Sequence, residues 1–203
     1  MKVSIIIVTY QRNELLMQCL QSIYAQRNLP QPYEVIVIDN DGTADVPTPD
    51  RENIILMVEK QTTNLGVAGG RNWGMQLASG DYLIFIDDDA VWQSESEVSR
   101  LIELFERNPT CGAIAVKSLD PNSKQIIEME LPHPDKTYAR KLDQPTEVPY
   151  FYGVGHALRA AAIQEVGDYP ARYFYSMEEV DFSLRLIDAG YQIVYDPSIT
   201  LYH

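Results

Sequence analysis

Tyr82-Leu83-Ile84-Phe85-Ile86-Asp87-Asp88-Asp89 sets five consecutive apolar residues against three consecutive carboxylates. The apolar run is continuous rather than alternating. That is the pattern of a strand covered on both faces, as in a parallel sheet. Open α/β sheets bind ligands beyond the carboxyl ends of such strands, so the acids stand where a site is expected. Three carboxylates this close repel one another once partly dry, and a hard cation with an anionic ligand relieves the repulsion. A solvated acidic turn explains the triplet equally well in isolation, so the surrounding sequence has to decide.

On the N-terminal side, Val3–Val8 is a β-branched run that reads as a buried strand. Asn13 predicts the N-cap of a helix through about Gln26, with Leu15, Leu16, Cys19, Leu20, Ile23 and Tyr24 on one face. Glu34–Ile38 is a second strand, ending at Asp39-Asn40-Asp41-Gly42, and Ile54–Val58 a third. Asn64–Ser79 carries Gly66, Gly69, Gly70 and Gly74 and then helix formers, with Gly80 suited to the position after the helix. Beyond the triplet, Ser96 caps a predicted helix to Asn108, Pro109 stops it, and Gly112–Val116 is a strand. From residue 119 to about 150 the pattern fades among Pro121, Pro132, Pro134, Pro145 and Pro149, as in a functional or mobile loop. Gly153–Ala162 regains some order, Glu178–Ala189 is an amphipathic helix closed by Gly190, and Tyr191–Tyr195 is a last strand. Strands alternating with helices predict a three-layer α/β/α domain with a mainly parallel central sheet.

The chain has 203 residues, 45% hydrophobic and 22% charged, which suits one globular domain. A domain of this size buries about 70% of its unfolded surface. Its formal net charge of −13 makes it a poor nonspecific binder of nucleic acid or anionic lipid. A phosphorylated substrate fits only where a metal and local cations offset that field. Cys19 and Cys111 lie far apart in apolar surroundings and read as reduced buried thiols, with a disulfide left open. The start, Met1 to Val8, is too short and lacks the small-residue cleavage site of a signal peptide, so a first strand is expected. Nowhere do eighteen apolar residues follow one another, so no segment is expected to span a membrane.

Asp39 ends the second strand at the same sheet edge as the triplet. It suits a base N–H or ribose hydroxyl, or equally an Asx turn toward Gly42. Asn64-Leu65-Gly66-Val67-Ala68-Gly69-Gly70-Arg71-Asn72 joins close-approach glycines, a helix start and one arginine, a combination that suits a phosphate. The same glycines also serve tight helix packing. Alternation along an extended backbone sends Asp87 and Asp89 to one side, where they can share an ion, and Asp88 to the other. Oxygen ligands with a phosphate favour Mg²⁺ or Mn²⁺. Glu178-Glu179-Val180-Asp181 opens a helix, where acids are favoured by the dipole alone, and Asp181 and Arg185 are spaced for an i,i+4 pair. The functional reading projects one of these acids into the cleft as a general base. His203 is a third metal ligand only in this context. His133 reads as a loop residue and His156 as structural, and most of the thirteen tyrosines are expected to pack.

Taken together, the chain resembles a family 2 glycosyltransferase with the nucleotide-sugar-binding GT-A fold, from Val3 to His203. The run Val3 to Tyr10 resembles the first strand and its nucleotide-contacting end, which includes Thr9 and Tyr10. Asp39-Asn40 sits where the family reads the base. Asn64–Asn72 resembles the glycine-rich segment of the rhamnosyl-, galactosyl- and galactofuranosyl-transferase branch. Asp87-Asp88-Asp89 resembles the Asp-x-Asp metal motif, Glu178-Glu179-Val180-Asp181 the acidic catalytic motif, and His203 the histidine that completes the metal site. The six motifs follow in the family's order.

The resemblance implies an inverting transfer from a UDP- or dTDP-sugar to a hydroxyl of a glycan or lipid-linked acceptor, in bacterial polysaccharide or cell-surface glycan synthesis. Mn²⁺ or Mg²⁺ on Asp87, Asp89 and His203 would neutralise the diphosphate, and Arg71 would add charge. Thr9, Tyr10, Asp39, Asn64, Gly66 and Asp88 would hold the nucleotide sugar, and Glu179, or Asp181, would be the base. The location implied is cytoplasmic, at the inner face of the membrane by peripheral association. Two departures stand out. The second acid, often Asp, is Glu179, and the chain stops at His203 where family members commonly continue, which leaves a shortened and a minimal enzyme both open. A sugar nucleotidyltransferase would want a glycine-rich loop after the first strand, and Thr9 to Asn13 has none. A non-catalytic nucleotide-sugar or glycan-binding module is the alternative of a different class. Oligomeric state has no sequence signature here.

Overall fold

The computed structural model describes residues 2–203. Its sheet is built on Val3–Thr9 (β1), Tyr33–Asp39 (β2), Ile54–Lys60 (β3) and Tyr82–Ile86 (β4), mutually parallel in the order β3-β2-β1-β4. Gly155–Arg159 (β8) then pairs antiparallel with β4 and with Cys111–Leu119 (β6). Gln192–Tyr202 (β9) runs parallel to β6, and the two-residue strands Val91–Trp92 (β5) and Thr146–Glu147 (β7) pair antiparallel with β9. The sheet is therefore mixed: the expected parallel half carries one inserted antiparallel strand and two short antiparallel edges.

The continuous apolar runs are explained by cover on both faces. Along β1, Val3, Ile5 and Ile7 join the core beneath the helices Asn13–Tyr24 (α1) and Glu97–Arg107 (α3). Ile6 joins the opposite core beneath Gly66–Leu77 (α2), Ala160–Val166 (α5) and Glu178–Asp188 (α6). Each such buried aliphatic side chain contributes roughly 1.5–3 kcal/mol relative to exposure. Cys19 and Cys111 are buried free thiols. The remaining helix, Lys136–Ala139 (α4), is a single turn in the proline-rich segment.

Several local expectations change. Asn13 is the first helical residue rather than the cap, and its side chain meets the 43–45 loop instead. Gly80 is not a left-handed cap; a Cβ there would lie 2.7 Å from the Ser4 backbone nitrogen, so close approach to β1 demands glycine. The last strand runs well past Tyr195. Pro197 sits in an irregularity between the pairs Val116–Asp196 and Lys117–Thr200, where a missing ladder N–H is tolerated. No described helix is long and apolar enough to cross a membrane.

Register fixes where the site lies. Thr9 pairs with Asp39, and Ile6 with Phe85, so β1, β2 and β4 deliver Thr9, Asp39 and Asp87 to one edge. Because β6 and β9 run in the same sense as β4, His203 leaves β9 at that same edge, its N–H bonded to the Leu119 carbonyl at 3.0 Å.

Candidate active site

At this edge lies a cavity of about 360 Å³, lined by Thr9, Tyr10, Arg12, Asn40, Asn64, Gly66, Asp87, Asp88, Asp89, Phe174, Tyr175 and His203, among others. The backbone does not stay extended through the triplet. It turns at Asp88-Asp89, with the Ala90 N–H on the Asp87 carbonyl, so all three carboxylates line one cavity instead of alternating. Their environments differ. Asp88 is buried, accepts the Thr9 hydroxyl at 2.7 Å and lies 3.3 Å from Arg12. Burial raises its pKa, against the pull of Thr9 and Arg12. Asp89 accepts from Arg12 at 2.6 Å and lies 3.4 Å from His203 Nε2. The His203 contact, before all other causes, holds the Asp89 carboxyl below its usual range. Asp87 is the most exposed of the three and accepts from Arg71 at 3.1 Å.

One ligand atom from each of Asp87, Asp89 and His203 fits within a span of 4.8 Å. Two carboxylate oxygens and an imidazole nitrogen suit a divalent cation of the Mn²⁺ or Mg²⁺ type. A cation held by these three residues would supply charge neutralisation for an anionic ligand in the cavity. Without metal, the bonds of His203 to Asp89 and Glu130 hold its pKa up at about 10, against burial.

Arg71 is engaged by protein groups on both terminal nitrogens of its guanidinium. Its side chain is 4% exposed. It donates to Asp87, to the Gly153 carbonyl at 3.0 Å and to Glu178 at 3.0 Å, with Glu179 at 3.5 Å. Burial works against its charge, yet the surrounding acids, led by Asp87, raise its pKa above the ordinary value. Arg71 thus ties the metal-side acid to the two glutamates at the start of α6. Glu178, the first acid of the motif and not the one expected as base, is the buried one of that pair, at 1% against 14% for the Glu179 side chain. Desolvation and then repulsion from Glu179 raise the Glu178 pKa.

The glycine-rich segment is a packing and capping device. Cβ atoms at Gly70 and Gly74 would lie 2.6 Å and 2.5 Å from Val8 and Ile6, so these glycines let α2 lie directly on β1. Gly66 has φ +71°, and a Cβ there would lie 2.5 Å from the Phe174 carbonyl oxygen, so both conformation and space demand glycine. Two of the helix-start N–H groups are already satisfied: Gly66 by Asn64 Oδ1 at 2.8 Å and Val67 by the Phe174 carbonyl at 2.7 Å. Asn64 is therefore positioned as a local cap at the cavity wall.

Two further candidates sit away from the expected roles. Asp39 is fully buried, its carboxylate accepting from the N–H groups of Asp41, Gly42 and Ala44. That is the Asx-type turn, and its neighbour Asn40 takes the cavity wall. Asp181 pairs with Arg185 at 2.8 Å, the ordinary i,i+4 contact, and Arg185 also holds the carbonyls of Val166 and Asp168. His156 is structural, fully buried between Phe85 and Phe151 and bonded to the Tyr169 hydroxyl. Arg12, Glu130 and the exposed aromatic segment Phe174-Tyr175 escaped sequence reasoning. The only signal for the last is a run of three aromatics, Tyr173-Phe174-Tyr175, and Met177 before the acidic motif.

The family model for glycosyl transferase family 2 matches residues 4–167. An uncharacterized protein of Haemophilus influenzae is 25% identical over 180 residues, 83% of this chain and 92% of that protein. A poly(ribitol-phosphate) beta-glucosyltransferase of Bacillus spizizenii is 30% identical over 102 residues, 47% of this chain and 16% of that protein. Among solved structures, the mannosyltransferase PcManGT of Pyrobaculum calidifontis, in complex with GDP-Man and Mn²⁺, matches with a TM-score of 0.74 at 19% identity. That match spans 99% of this chain and 56% of the other. This likeness shows the fold. With the family pattern running from the first strand through α5, the chain belongs to glycosyl transferase family 2 and is a glycosyltransferase of GT-A fold.

Proposed function

We propose that the chain transfers a sugar from a nucleoside-diphosphate sugar to an acceptor hydroxyl, with inversion at the anomeric carbon and with Mn²⁺ or Mg²⁺ as cofactor. The observation that carries this reading is the convergence of Asp87, Asp89 and His203 at one cavity, with Arg71 linking Asp87 to Glu178 and Glu179. The cation, when bound, supplies charge neutralisation for the diphosphate leaving group. Thr9, Tyr10, Asn40 and Asn64 offer the nucleoside a polar wall at the ends of β1 and β2. Glu179, the more exposed glutamate, takes the proton of the acceptor hydroxyl as that oxygen attacks the anomeric carbon. The bond from that carbon to the diphosphate oxygen breaks as the new one forms, and the nucleoside diphosphate leaves. Arg71 holds Glu178 at 3.0 Å and Glu179 at 3.5 Å, so the more loosely held and more exposed Glu179 is the one available for the proton.

The donor we favour is a UDP- or dTDP-sugar, and the acceptor a glycan or lipid-linked saccharide of the cell surface. The Bacillus relative named for its action on a ribitol-phosphate polymer supports a polymeric acceptor that bears hydroxyl groups. Two buried free thiols suit a reducing, cytoplasmic setting, with access to a lipid-linked acceptor by peripheral association at the inner face of the membrane. A thermal-shift screen of UDP, dTDP and GDP and their glucose, galactose, galactofuranose, rhamnose, mannose and N-acetylglucosamine conjugates, with Mn²⁺ or Mg²⁺, tests the reading. A binding partner of the native state raises stability by RT ln(1 + [L]/Kd). Metal-dependent stabilisation by one nucleotide class, followed by nucleotide release with acceptor, is expected. Binding without release from any donor-acceptor pair favours the non-catalytic module.

A further inference from the structure

Glu130 ends a single turn, Glu128–Glu130, in the proline-punctuated segment whose sequence shows no pattern. One of its oxygens, Oε1, lies 2.8 Å from His203 Nδ1. The other, Oε2, is buried with no hydrogen-bond partner. The turn is held firmly where it stands. Lys136 Nζ donates to the carbonyls of Met129 and Leu131 at 3.3 and 2.6 Å, the Ile127 N–H meets the Ser118 carbonyl, and Leu131 is buried in the core under α6. An unshared buried carboxylate oxygen is costly to keep, so a carboxylate at this place calls for a reason.

The chemistry of the imidazole supplies one. A neutral ring carries one N–H and one lone pair, and only the nitrogen without the proton can ligate a cation. His203 turns Nε2 toward Asp89 and Nδ1 toward Glu130. An acceptor at Nδ1 keeps the proton there when the Nε2 proton, which faces Asp89, gives way to a cation, so that Nε2 is the ligating nitrogen, and it increases the ring's strength as a ligand. We propose that Glu130 is a positioning residue for the metal centre, holding His203 in the Nδ1–H tautomer with Nε2 aimed at the Asp87–Asp89 pair. This rests on the metal reading given above.

The test measures Mn²⁺ alone, by loss of the free-ion electron paramagnetic resonance signal on titration. Glu130→Leu removes the acceptor and weakens Mn²⁺ binding about 10–100-fold. Glu130→Gln keeps an oxygen acceptor of the same reach and stays within about threefold of the unsubstituted chain. In a His203→Ala background, Glu130→Leu changes the affinity no further, because its action runs through the ring. Metal-free circular dichroism confirms that each variant folds. Should Glu130→Leu bind Mn²⁺ normally, or weaken it equally in the His203→Ala background, Glu130 does not act through His203 and the inference fails. Failure of the unsubstituted chain to bind Mn²⁺ overturns the metal reading itself and this inference with it.

Discussion

Arg71 Nη2 stands 3.1 Å from Asp87 Oδ1, at the back of the acidic cleft. The other end of the same guanidinium carries Glu178 and Glu179. A single buried cation thus spaces the metal-side carboxylate from the helix-start carboxylates across 107 residues of sequence between Arg71 and Glu178.

Removal of that cation strands Glu178, whose side chain is 1% exposed. Breaking a buried pair from one side costs about 3–5 kcal/mol, because the partner charge is left uncompensated. Arg71→Met should lose stability of that order in urea unfolding, and Arg71→Met/Glu178→Gln should recover part of it. Recovery in the double variant is the decisive result. If both variants are equally unstable, the cost comes from lost packing of the arginine rather than from the stranded acid.

The proposed mechanism assigns the proton to Glu179 and leaves Asp181 to its pair with Arg185. General-base catalysis contributes about 10²–10⁴-fold, so Glu179→Gln should lose that much in kcat while its titration by donor and Mn²⁺ is unchanged. Asp181→Asn breaks a half-exposed pair with Arg185, worth about 0.3–0.5 kcal/mol, and should leave kcat within about threefold. Near-normal transfer by the glutamine variant, with loss in the asparagine variant, reverses the assignment.

What the chain discloses before folding follows from what each feature needs. Burial on both faces writes Val3–Val8 and Tyr82–Ile86 as unbroken apolar runs, and parallel order then brings their carboxyl ends to one edge. The meeting of Asp87 and Asp89 with His203 is legible once that order is assumed, since β9 runs parallel to β6. An arginine beside glycines looks like a phosphate ligand in one dimension, whereas in the fold the Arg71 guanidinium is engaged by Asp87, Gly153 and Glu178. Its burial depends on how closely α2 lies on β1, which only Val8 and Ile6 disclose. Asp39 and Asp181 took their local alternatives, a turn and an i,i+4 pair. Glu130 left no trace, since its place depends on a fold of the proline-rich segment that hydrophobic period does not encode.

The metal-side carboxylate gives a direct ligand test. Asp89 is one of three residues with ligand atoms within 4.8 Å, and it has no apolar role in either core. Asp89→Ala should abolish the metal-dependent part of donor binding in calorimetry, while folding survives. It also releases Arg12, which loses its 2.6 Å contact and keeps Asp88. Unchanged titration of nucleotide sugar with Mn²⁺ would remove Asp89 from the metal site.

His203 makes the metal-free protein sensitive to alkali. Its pKa stands at about 10 in the folded chain against 6.5 for the free side chain, chiefly because Asp89 and then Glu130 bind the protonated ring. A folded-state pKa above the unfolded one means that the native state holds the proton more tightly. The resulting stability is fully present below about pH 6.5 and is lost as pH rises through about 10. With metal removed by chelator, the Tm advantage of the unsubstituted chain over His203→Gln should be largest near pH 6 and shrink steadily toward pH 10. The glutamine variant cannot gain a proton, so its own Tm lacks this component. A difference that stays constant across the window would mean that His203 contributes packing alone, and that its ring is not held protonated between Asp89 and Glu130.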